Sequence, residues 1–212
     1  SAATGQPEFG QHLRGVNDEV RALLCMKVSL RAIARHLRIH PRTVARKLEF
    51  LGKIGRAYLD SLPVRGLPHV QFDEMQSSIH TKYKPVAIPM AVDAETRCIL
   101  AVGVASMPAQ HPIIERALAK YGPRADDRAA GVSQVLRRIA VMLAPGAQIS
   151  TDCALHYPDP IRTELPGVRH VATLSRRARN AGQGELKRGA NDPLFPFNHT
   201  AAMVRDGVSR LV

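Results

Sequence analysis

Two acidic residues, Asp73 and Glu74, directly follow an apolar run in the segment HVQFDEMQSSIH (69–80). The run favours a β-strand, so we expect both acids to lie within a sheet. A carboxylate in a half-buried strand is costly unless it is paired, hydrogen-bonded or bound to a metal ion. Successive strand side chains point to opposite faces, so Asp73 and Glu74 are expected to face opposite ways.

A second candidate acid, Asp152, ends the segment QISTD (148–152). This segment follows an amphipathic helix predicted over 130–145, and such a crossover can return the chain to lie beside the strand of Asp73. The two carboxylates would then face each other and repel unless a divalent cation lay between them. Mg²⁺, with Mn²⁺ as a substitute, is the predicted cofactor because it prefers carboxylate oxygens, waters and phosphate.

The composition indicates a polyanionic partner. The 212 residues include 30 Lys and Arg against 18 Asp and Glu, which gives a net charge of +12 and favours nucleic-acid binding. The three cysteines are far apart, which argues against a disulfide framework or a structural zinc site. No apolar run is long enough to span a membrane and no signal peptide is recognisable, so a cytoplasmic protein without membrane contact is expected.

Residues 17–60 are predicted to form a helix-turn-helix DNA-binding domain. Asn17 and Ser29 are plausible N-caps, the segment 38–40 makes the turn, and Pro41 begins a basic helix. That helix offers residue types that reach phosphates and base edges in a major groove. These predicted DNA contacts are Arg42, Thr43, Arg46 and Lys47. A plain helical hairpin with solvated basic residues is the alternative.

The rest of the chain predicts an α/β domain over 69–212, with a mixed sheet flanked by helices. Residues 1–16 are expected to be a flexible segment, and 61–68, which contain two prolines and a glycine, a linker. Strands are predicted over 69–79, 85–93, 97–107, 148–152 and 168–175. A final helix is predicted from about Asn198 and still continues at Val212, so the domain is expected to be truncated there.

Four motifs carry a resemblance to a known family. In chain order they are VQFDEM (70–75), MAVDAETRCILAVGV (90–104), ISTDCALHY (149–157) and FNHTAAMVRDGVSRL (197–211). Together they resemble the catalytic domain of bacterial insertion-sequence transposases of the Asp-Asp-Glu/Asn type. The resemblance covers most of 17–212 and implies an RNase H-like fold, and the preceding helix-turn-helix agrees with it.

The resemblance implies a Mg-dependent polynucleotidyl transferase and endonuclease that binds the terminal inverted repeats of a mobile element. In the implied mechanism, Mg²⁺ held by Asp73 and Asp152 activates water for strand cleavage, and the freed 3′-OH then attacks target DNA. The implied partners are double-stranded DNA, as element ends and target, and further copies of the chain in a homodimer or higher oligomer. The implied location is the prokaryotic cytoplasm, at the nucleoid.

The third acid of the family pattern falls on Asn198, where this sequence departs from it. An Asn carbonyl can ligate Mg²⁺, but weakly and without charge. Glu185 and Asp206 are the alternative third ligands. The departure favours a second function, a catalytically impaired or domesticated transposase that acts as a sequence-specific DNA-binding regulator. A structure-selective nuclease is a third possibility, weakened by the sequence-reading helical domain.

Further residues are assigned to DNA contact or to ordinary structure. A basic, glycine-rich segment is expected to follow the DNA backbone, through Arg176, Arg177, Arg179, Lys187 and Arg188. His156, Tyr157 and His199 could contact the DNA near the cut, and ordinary packing explains them equally well. Glu74 is interpreted as a solvated or arginine-paired acid, and Asp93 as a turn residue.

Overall fold

The computed structural model describes Glu8, residues 11–174 and residues 192–208. The described chain divides between Leu62 and Pro63 into two compact units, a helical one and an α/β one. No helix within the described ranges is both long and apolar enough to cross a membrane.

The helical unit begins with a 3₁₀ turn, Arg14–Val16, and continues with three α-helices. They are α1 (Asn17–Cys25), α2 (Leu30–His36) and α3 (Pro41–Ser61). Their shared core contains Val20, Ile33, Ala34 and Val44. Because α3 extends to Ser61 and the first strand starts at Leu67, the connecting segment is shorter than the linker predicted over 61–68.

The helix caps differ in how well the sequence predicted them. Ser29 caps α2, since its Oγ accepts a hydrogen bond from the Ala32 N–H at 3.3 Å, and Pro41 is the first residue of α3. The prediction that Asn17 caps α1 is wrong, because the 3₁₀ turn leads directly into α1 and Val16 takes the cap position. Asn17 is buried instead, and its Nδ2 donates to Oε1 of Glu8 at 3.1 Å.

The α/β unit contains six strands and four helices among the described residues. The strands are β1 (Leu67–Ser78), β2 (Pro85–Asp93), β3 (Ile99–Val102), β4 (Ala105–Ser106), β5 (Leu143–Asp152) and β6 (Arg169–Thr173). The helices are α4 (Ile114–Tyr121), α5 (Arg128–Ala140), α6 (Pro158–Glu164) and α7 (Phe195–Gly207).

The six strands form one mixed sheet in the order β3-β2-β1-β5-β6, with β4 paired to the outer part of β2. β1 is antiparallel to β2 and β2 to β3, whereas β1 and β5, and β5 and β6, are parallel. The predicted α/β class with a mixed sheet flanked by helices is therefore confirmed. The crossover through α5 places β5 directly beside β1, as the sequence predicted.

Helices cover both faces of the sheet. On one face Phe72 of β1 and Ile149 of β5 belong to the same buried cluster as Leu136 of α5 and Ile161 of α6. On the other face Met75 of β1 and residues of β2 pack against Phe197 and Ala201 of α7. Even-numbered β1 residues thus face α5 and α6, and odd-numbered ones face α7, as strand alternation requires.

Several predicted boundaries are wrong for identifiable reasons. The helix predicted over 130–145 ends at Ala140, because Pro145 disfavours helix and Leu143 pairs with Leu67 in the sheet. The strand predicted over 97–107 is split into β3 and β4 around Gly103. A Cβ at Gly103 would lie only 3.1 Å from Cγ2 of Val135, so the backbone approaches α5 closely there.

Two helices also depart from the sequence prediction. The short helix α4 was not predicted at all, because a segment of two turns is hard to distinguish from a loop by periodicity. The helix α7 begins at Phe195, three residues before the predicted start at Asn198, and the structure describes it to Gly207. The predicted continuation to Val212 lies beyond the described residues.

Candidate active site

The candidate site centres on two carboxylates carried by neighbouring strands. Asp73 lies in the middle of β1, and Asp152 is the last residue of the parallel strand β5. Gln71 pairs with Ser150, and two residues further along each strand the same register brings the two acids to the same face. The charge of Asp152 helps to raise the pKa of Asp73, so the two groups interact electrostatically.

Asp73 is a half-buried carboxylate with a perturbed pKa. Burial raises its pKa to about 6, and the negative charges of Asp152 and Glu74 act in the same direction. Hydrogen bonds to Oδ1 oppose this rise, one from the Glu74 backbone N–H at 2.6 Å and one from the Tyr157 hydroxyl at 3.0 Å. A titratable group perturbed in this way beside a second carboxylate is typical of sites that bind cations or transfer protons.

Tyr157 ties the loop after β5 to β1. Its side chain is buried, and its ring meets Phe72 edge-on with the centroids 5.2 Å apart. Burial and the negative charge of Asp73 raise the pKa of the Tyr157 phenol far above its usual value. The hydroxyl therefore stays protonated and acts as a hydrogen-bond donor to the carboxylates. The sequence allowed either DNA contact or packing for Tyr157, and its observed geometry is that of a buried hydrogen-bond donor.

Glu74 is the residue whose environment differs most from the sequence interpretation. Its side chain is only 8% exposed, and Oε2 lies 2.6 Å from Nε2 of His156. Among the described residues, its other oxygen, Oε1, is buried without a hydrogen-bond partner. The interpretation of Glu74 as a solvated or arginine-paired acid is therefore wrong. The loop between Asp152 and α6 folds back over β1 and delivers a histidine that no local pattern indicated.

That loop, residues 153–157, is fixed at both ends. The Ala154 N–H donates to Oδ1 of Asp152 at 3.0 Å, and the Tyr157 N–H donates to the Ala154 carbonyl at 3.2 Å. The rings of His156 and Tyr157 are in contact, with centroids 4.4 Å apart. Asp152 therefore has two roles in the geometry, as a candidate ligand and as the residue that shapes the loop after β5.

A buried glutamine on β1 positions the start of α7. Gln71 donates through Nε2 to the Pro193 carbonyl at 2.7 Å, and its Oε1 accepts from the Phe197 N–H at 2.9 Å. Gln71 is two residues before Asp73 and lies on the same face of the sheet. This role was not predicted from the sequence, although a glutamine inside an apolar strand run is a usable signal. Through Gln71 the beginning of α7 is held to the strand that carries Asp73.

Asn198, which the resemblance makes the expected third ligand, lies in α7. Its Nδ2 donates to Oδ2 of Asp192 at 2.9 Å, and Oδ1 of Asp192 accepts from the Leu194 N–H at 3.0 Å. Asp192, which sequence analysis did not consider, thus fixes both the turn before α7 and the Asn198 side chain. Asp206 lies in the exposed last turn of α7, and Glu185 lies outside the described residues.

The donor chemistry of Asp73 and Asp152 fits a divalent cation. Both supply hard carboxylate oxygens, and a cation between them would relieve the repulsion that helps to raise the pKa of Asp73. Within residues 11–174 and 192–208, no group of three or more His, Cys, Asp or Glu side chains is arranged to hold a metal ion. The described geometry therefore brings together two acids that could hold a cation, and the described part of the chain arranges no third His, Cys, Asp or Glu with them.

The predicted DNA contacts of α3 divide into two groups. Arg42 and Arg46 are exposed and Thr43 is half-buried, so these three are accessible to a ligand. Lys47 is not, because its residue is only 2% exposed and its Nζ donates to Oε1 of Gln11 at 3.4 Å. Burial lowers the pKa of Lys47, although the charge of Glu8 opposes this.

The burial of Lys47 argues against its predicted contact with DNA. Lys47 follows Val44 by three residues and precedes Leu51 by four, so it lies on the helix stripe that faces the core. The predicted contacts of the basic segment lie outside the described residues; they are Arg176, Arg177, Arg179, Lys187 and Arg188. His199 contacts the ring of Phe195, with centroids 5.5 Å apart.

No protein-family model matches this chain, and no curated protein matches it either.

Proposed function

We propose that this chain is a DNA transposase that binds the ends of a mobile element and catalyses metal-dependent cleavage and transfer of DNA strands. The observation that carries the proposal is the placement of Asp73 and Asp152 on adjacent parallel strands, where their carboxylates interact. The strand order β3-β2-β1-β5-β6, with the acids on the central strand and its neighbour, supports an RNase H-like arrangement.

In this proposal Asp73 and Asp152 hold Mg²⁺, with Asn198 as the third ligand. When bound, the ion supplies positive charge for the developing phosphoryl oxygens and lowers the pKa of a coordinated water. The protein's own contribution is to hold its ligands rigidly. Tyr157 fixes Asp73 through a hydrogen bond, and Gln71 holds the start of α7 on β1.

DNA binding is assigned to the helical unit as a helix-turn-helix. Its support is the short α2, the tight turn at Arg38 and the basic α3, from which Arg42 and Arg46 project into solvent. The net charge of +12 is consistent with a polyanionic partner. Double-stranded DNA, as element ends and target, is the proposed partner, with a homodimer or higher oligomer assembled on it in the prokaryotic nucleoid.

The proposal is tested by measuring Mn²⁺ binding and strand nicking on the same preparations. Asp73→Asn and Asp152→Asn should each weaken Mn²⁺ binding at least about tenfold, which corresponds to about 1.4 kcal/mol, and should abolish nicking. Asp159→Asn is the matched control, since Asp159 is an exposed acid on α6 that pairs with Arg162. Unchanged Mn²⁺ affinity in both site variants would rule out the proposed metal site.

The second candidate function is a DNA-binding regulator that has lost catalysis, and the amide at Asn198 is the observation that favours it. Under this alternative the parent binds DNA but never nicks it, and Asn198→Glu, which adds an anionic ligand, is the change expected to restore nicking. If Glu185 supplies the third ligand, Asn198→Ala is silent and Glu185→Gln abolishes nicking. One nicking assay on these three variants separates the cases.

A further inference from the structure

We propose that Glu74 and His156 form a carboxylate–imidazole pair that binds a phosphate of the DNA strand beside Asp73 and Asp152. In this pair His156 contacts the phosphate, and Glu74 is a positioning residue that acts through His156. The inference rests on the proposed function, because it takes DNA as the ligand of this site. It adds a binding group for the strand that is separate from the metal ligands.

The first support is the asymmetry of the pair. Nε2 of His156 lies 2.6 Å from Oε2 of Glu74, and the histidine side chain is 46% exposed whereas the glutamate side chain is 8% exposed. A buried carboxylate thus anchors an accessible imidazole through one ring nitrogen. The opposite ring nitrogen, Nδ1, is the one that can meet a ligand in solvent. An imidazole held in this way can donate one N–H to the carboxylate and the other to a phosphate oxygen.

The second support is the orphaned oxygen of Glu74. Among the described residues, Oε1 is buried and has no hydrogen-bond partner, and leaving such an atom unpaired costs about 1–3 kcal/mol. A buried polar atom without a partner therefore needs a reason other than stability. A requirement to keep the His156 ring in one orientation is such a reason.

The third support is the charge balance of the site. Asp73, Glu74 and Asp152 concentrate negative charge where a polyanion must approach, and the charges of Glu74 and Asp152 both raise the pKa of Asp73. Arg128 of α5, whose charge interacts with Glu74 and Tyr157, is already bound to Asp126, with Nη2 2.6 Å from Oδ2. His156 is therefore an accessible side-chain donor on this loop. A hydrogen bond from it to a phosphate could offset the repulsion between that phosphate and the acids. The ring contact with Tyr157 further restricts its orientation.

The test measures binding of a short fluorescein-labelled single-stranded oligodeoxynucleotide to the full chain in EDTA, so that no metal contributes. His156→Ala and Glu74→Gln should each weaken binding about five- to tenfold, as loss of a charge-assisted hydrogen bond requires. The double variant should lose no more than either single variant, because both remove the same contact. Additive losses, or no loss in either single variant, would overturn the proposal.

Two controls make the result specific. His80→Asn changes an exposed histidine on the β1–β2 turn whose positive φ suits Asn, and it should leave oligonucleotide binding unchanged. Mn²⁺ affinity should fall only slightly in Glu74→Gln, because a nearby charge and no ligand is lost, whereas a loss as large as that in Asp73→Asn would make Glu74 a metal ligand and overturn its positioning role. Failure of the proposed function can be told apart from failure of this inference. In that case Asp73→Asn and Asp152→Asn would keep the Mn²⁺ affinity of the parent.

A direct measurement covers the case in which a variant folds poorly. The NMR signal of the His156 ring, assigned by its loss in His156→Ala, should shift when the oligonucleotide is added to the parent protein in EDTA. The same signal should remain unshifted in Glu74→Gln if Glu74 orients the ring toward the phosphate. A His156 signal that the oligonucleotide does not move in the parent would show that the imidazole serves only the structure.

Discussion

The hydroxyl of Tyr157 lies 3.0 Å from Oδ1 of Asp73, and this hydrogen bond joins the loop after β5 to the middle of β1. The two acids of the candidate site are therefore linked in two ways, through the sheet register and through the loop that Asp152 itself shapes. Side chains that are held from two directions lose little freedom when a ligand binds, which is what a preorganised site requires.

The buried charge of Asp73 should make the metal-free protein less stable as the pH rises. Its pKa is about 6 in the folded protein against 3.8 in the unfolded chain, so the free energy of unfolding falls as the pH rises through this window. Asp73→Asn removes this penalty, and its Oδ1 can still accept both hydrogen bonds. In EDTA the variant should equal the parent near about pH 4 and exceed it by up to about 3 kcal/mol near about pH 8.

Urea denaturation at the two pH values measures the difference directly. The matched comparison is Asp159→Asn, which changes an exposed acid and should keep the parent's loss of stability at high pH, because Asp73 is intact. An Asp73→Asn variant that is less stable than the parent at high pH would mean that its carboxylate has a stabilising partner.

Gln71→Leu should detach the start of α7 from β1. The change leaves the Pro193 carbonyl and the Phe197 N–H without their partner, and two unsatisfied backbone groups should lower the free energy of unfolding by about 2–4 kcal/mol. Hydrogen exchange should also accelerate in α7. Gln76→Leu, an exposed position on the same strand, is the control and should change stability by less than about 0.5 kcal/mol.

Two glycine substitutions should have opposite effects. A Cβ at Gly131 of α5 would lie 2.8 Å from the Cβ of Ala105, so Gly131→Ala should destabilise the α/β unit by about 1–3 kcal/mol. Gly52 lies in the exposed part of α3 and has nothing within 4 Å of its added Cβ. Gly52→Ala should stabilise the helical unit by about 0.5–1 kcal/mol. Thermal unfolding followed by circular dichroism measures both, and a Gly131→Ala protein as stable as the parent would contradict the close contact.

Lys47→Met should leave DNA affinity unchanged although it removes a positive charge from α3. Burial lowers the pKa of Lys47 in the folded protein, so its charge opposes folding at neutral pH and the opposition fades as the pH rises toward the unfolded value. The variant should therefore be at least as stable as the parent at neutral pH. Arg46→Ala, at an exposed position one residue earlier, should weaken binding to the element's ends by about 1–3 kcal/mol. Equal losses in both variants would mean that Lys47 is accessible to DNA.

The sequence was sufficient for the parts of the fold that depend on local pattern and on general topology. β2 was predicted with its observed bounds, since a continuous apolar run ending in the turn-forming Asp93 leaves little choice. The adjacency of β1 and β5 followed from the rule that a crossover helix returns the chain to the sheet. That rule predicts Asp73 and Asp152 as a pair from the sequence alone.

Some contacts were not predicted because they depend on tertiary geometry. Others were not predicted because the residue type suggested the wrong degree of exposure. Glu74 and His156 are 82 residues apart, and their contact depends on the direction of a loop that no periodicity reports. Lys47 had the spacing of a core residue, but its charge suggested an exposed position. It is buried because Gln11 accepts a hydrogen bond from its ammonium group and the charge of Glu8 lies nearby. Tertiary partners can override residue type in this way because a buried polar group needs only one suitable neighbour.

The burial of Tyr157 also gives the protein an optical reporter. The chain contains no tryptophan and four tyrosines, and among them Tyr157 alone is fully buried. Its phenol touches the candidate metal ligand Asp73 through a hydrogen bond, so its near-ultraviolet circular dichroism depends directly on what happens to that carboxylate. Ion binding or protonation at the site can thus be followed without any label, and Tyr157→Phe identifies the part of the spectrum that belongs to this residue.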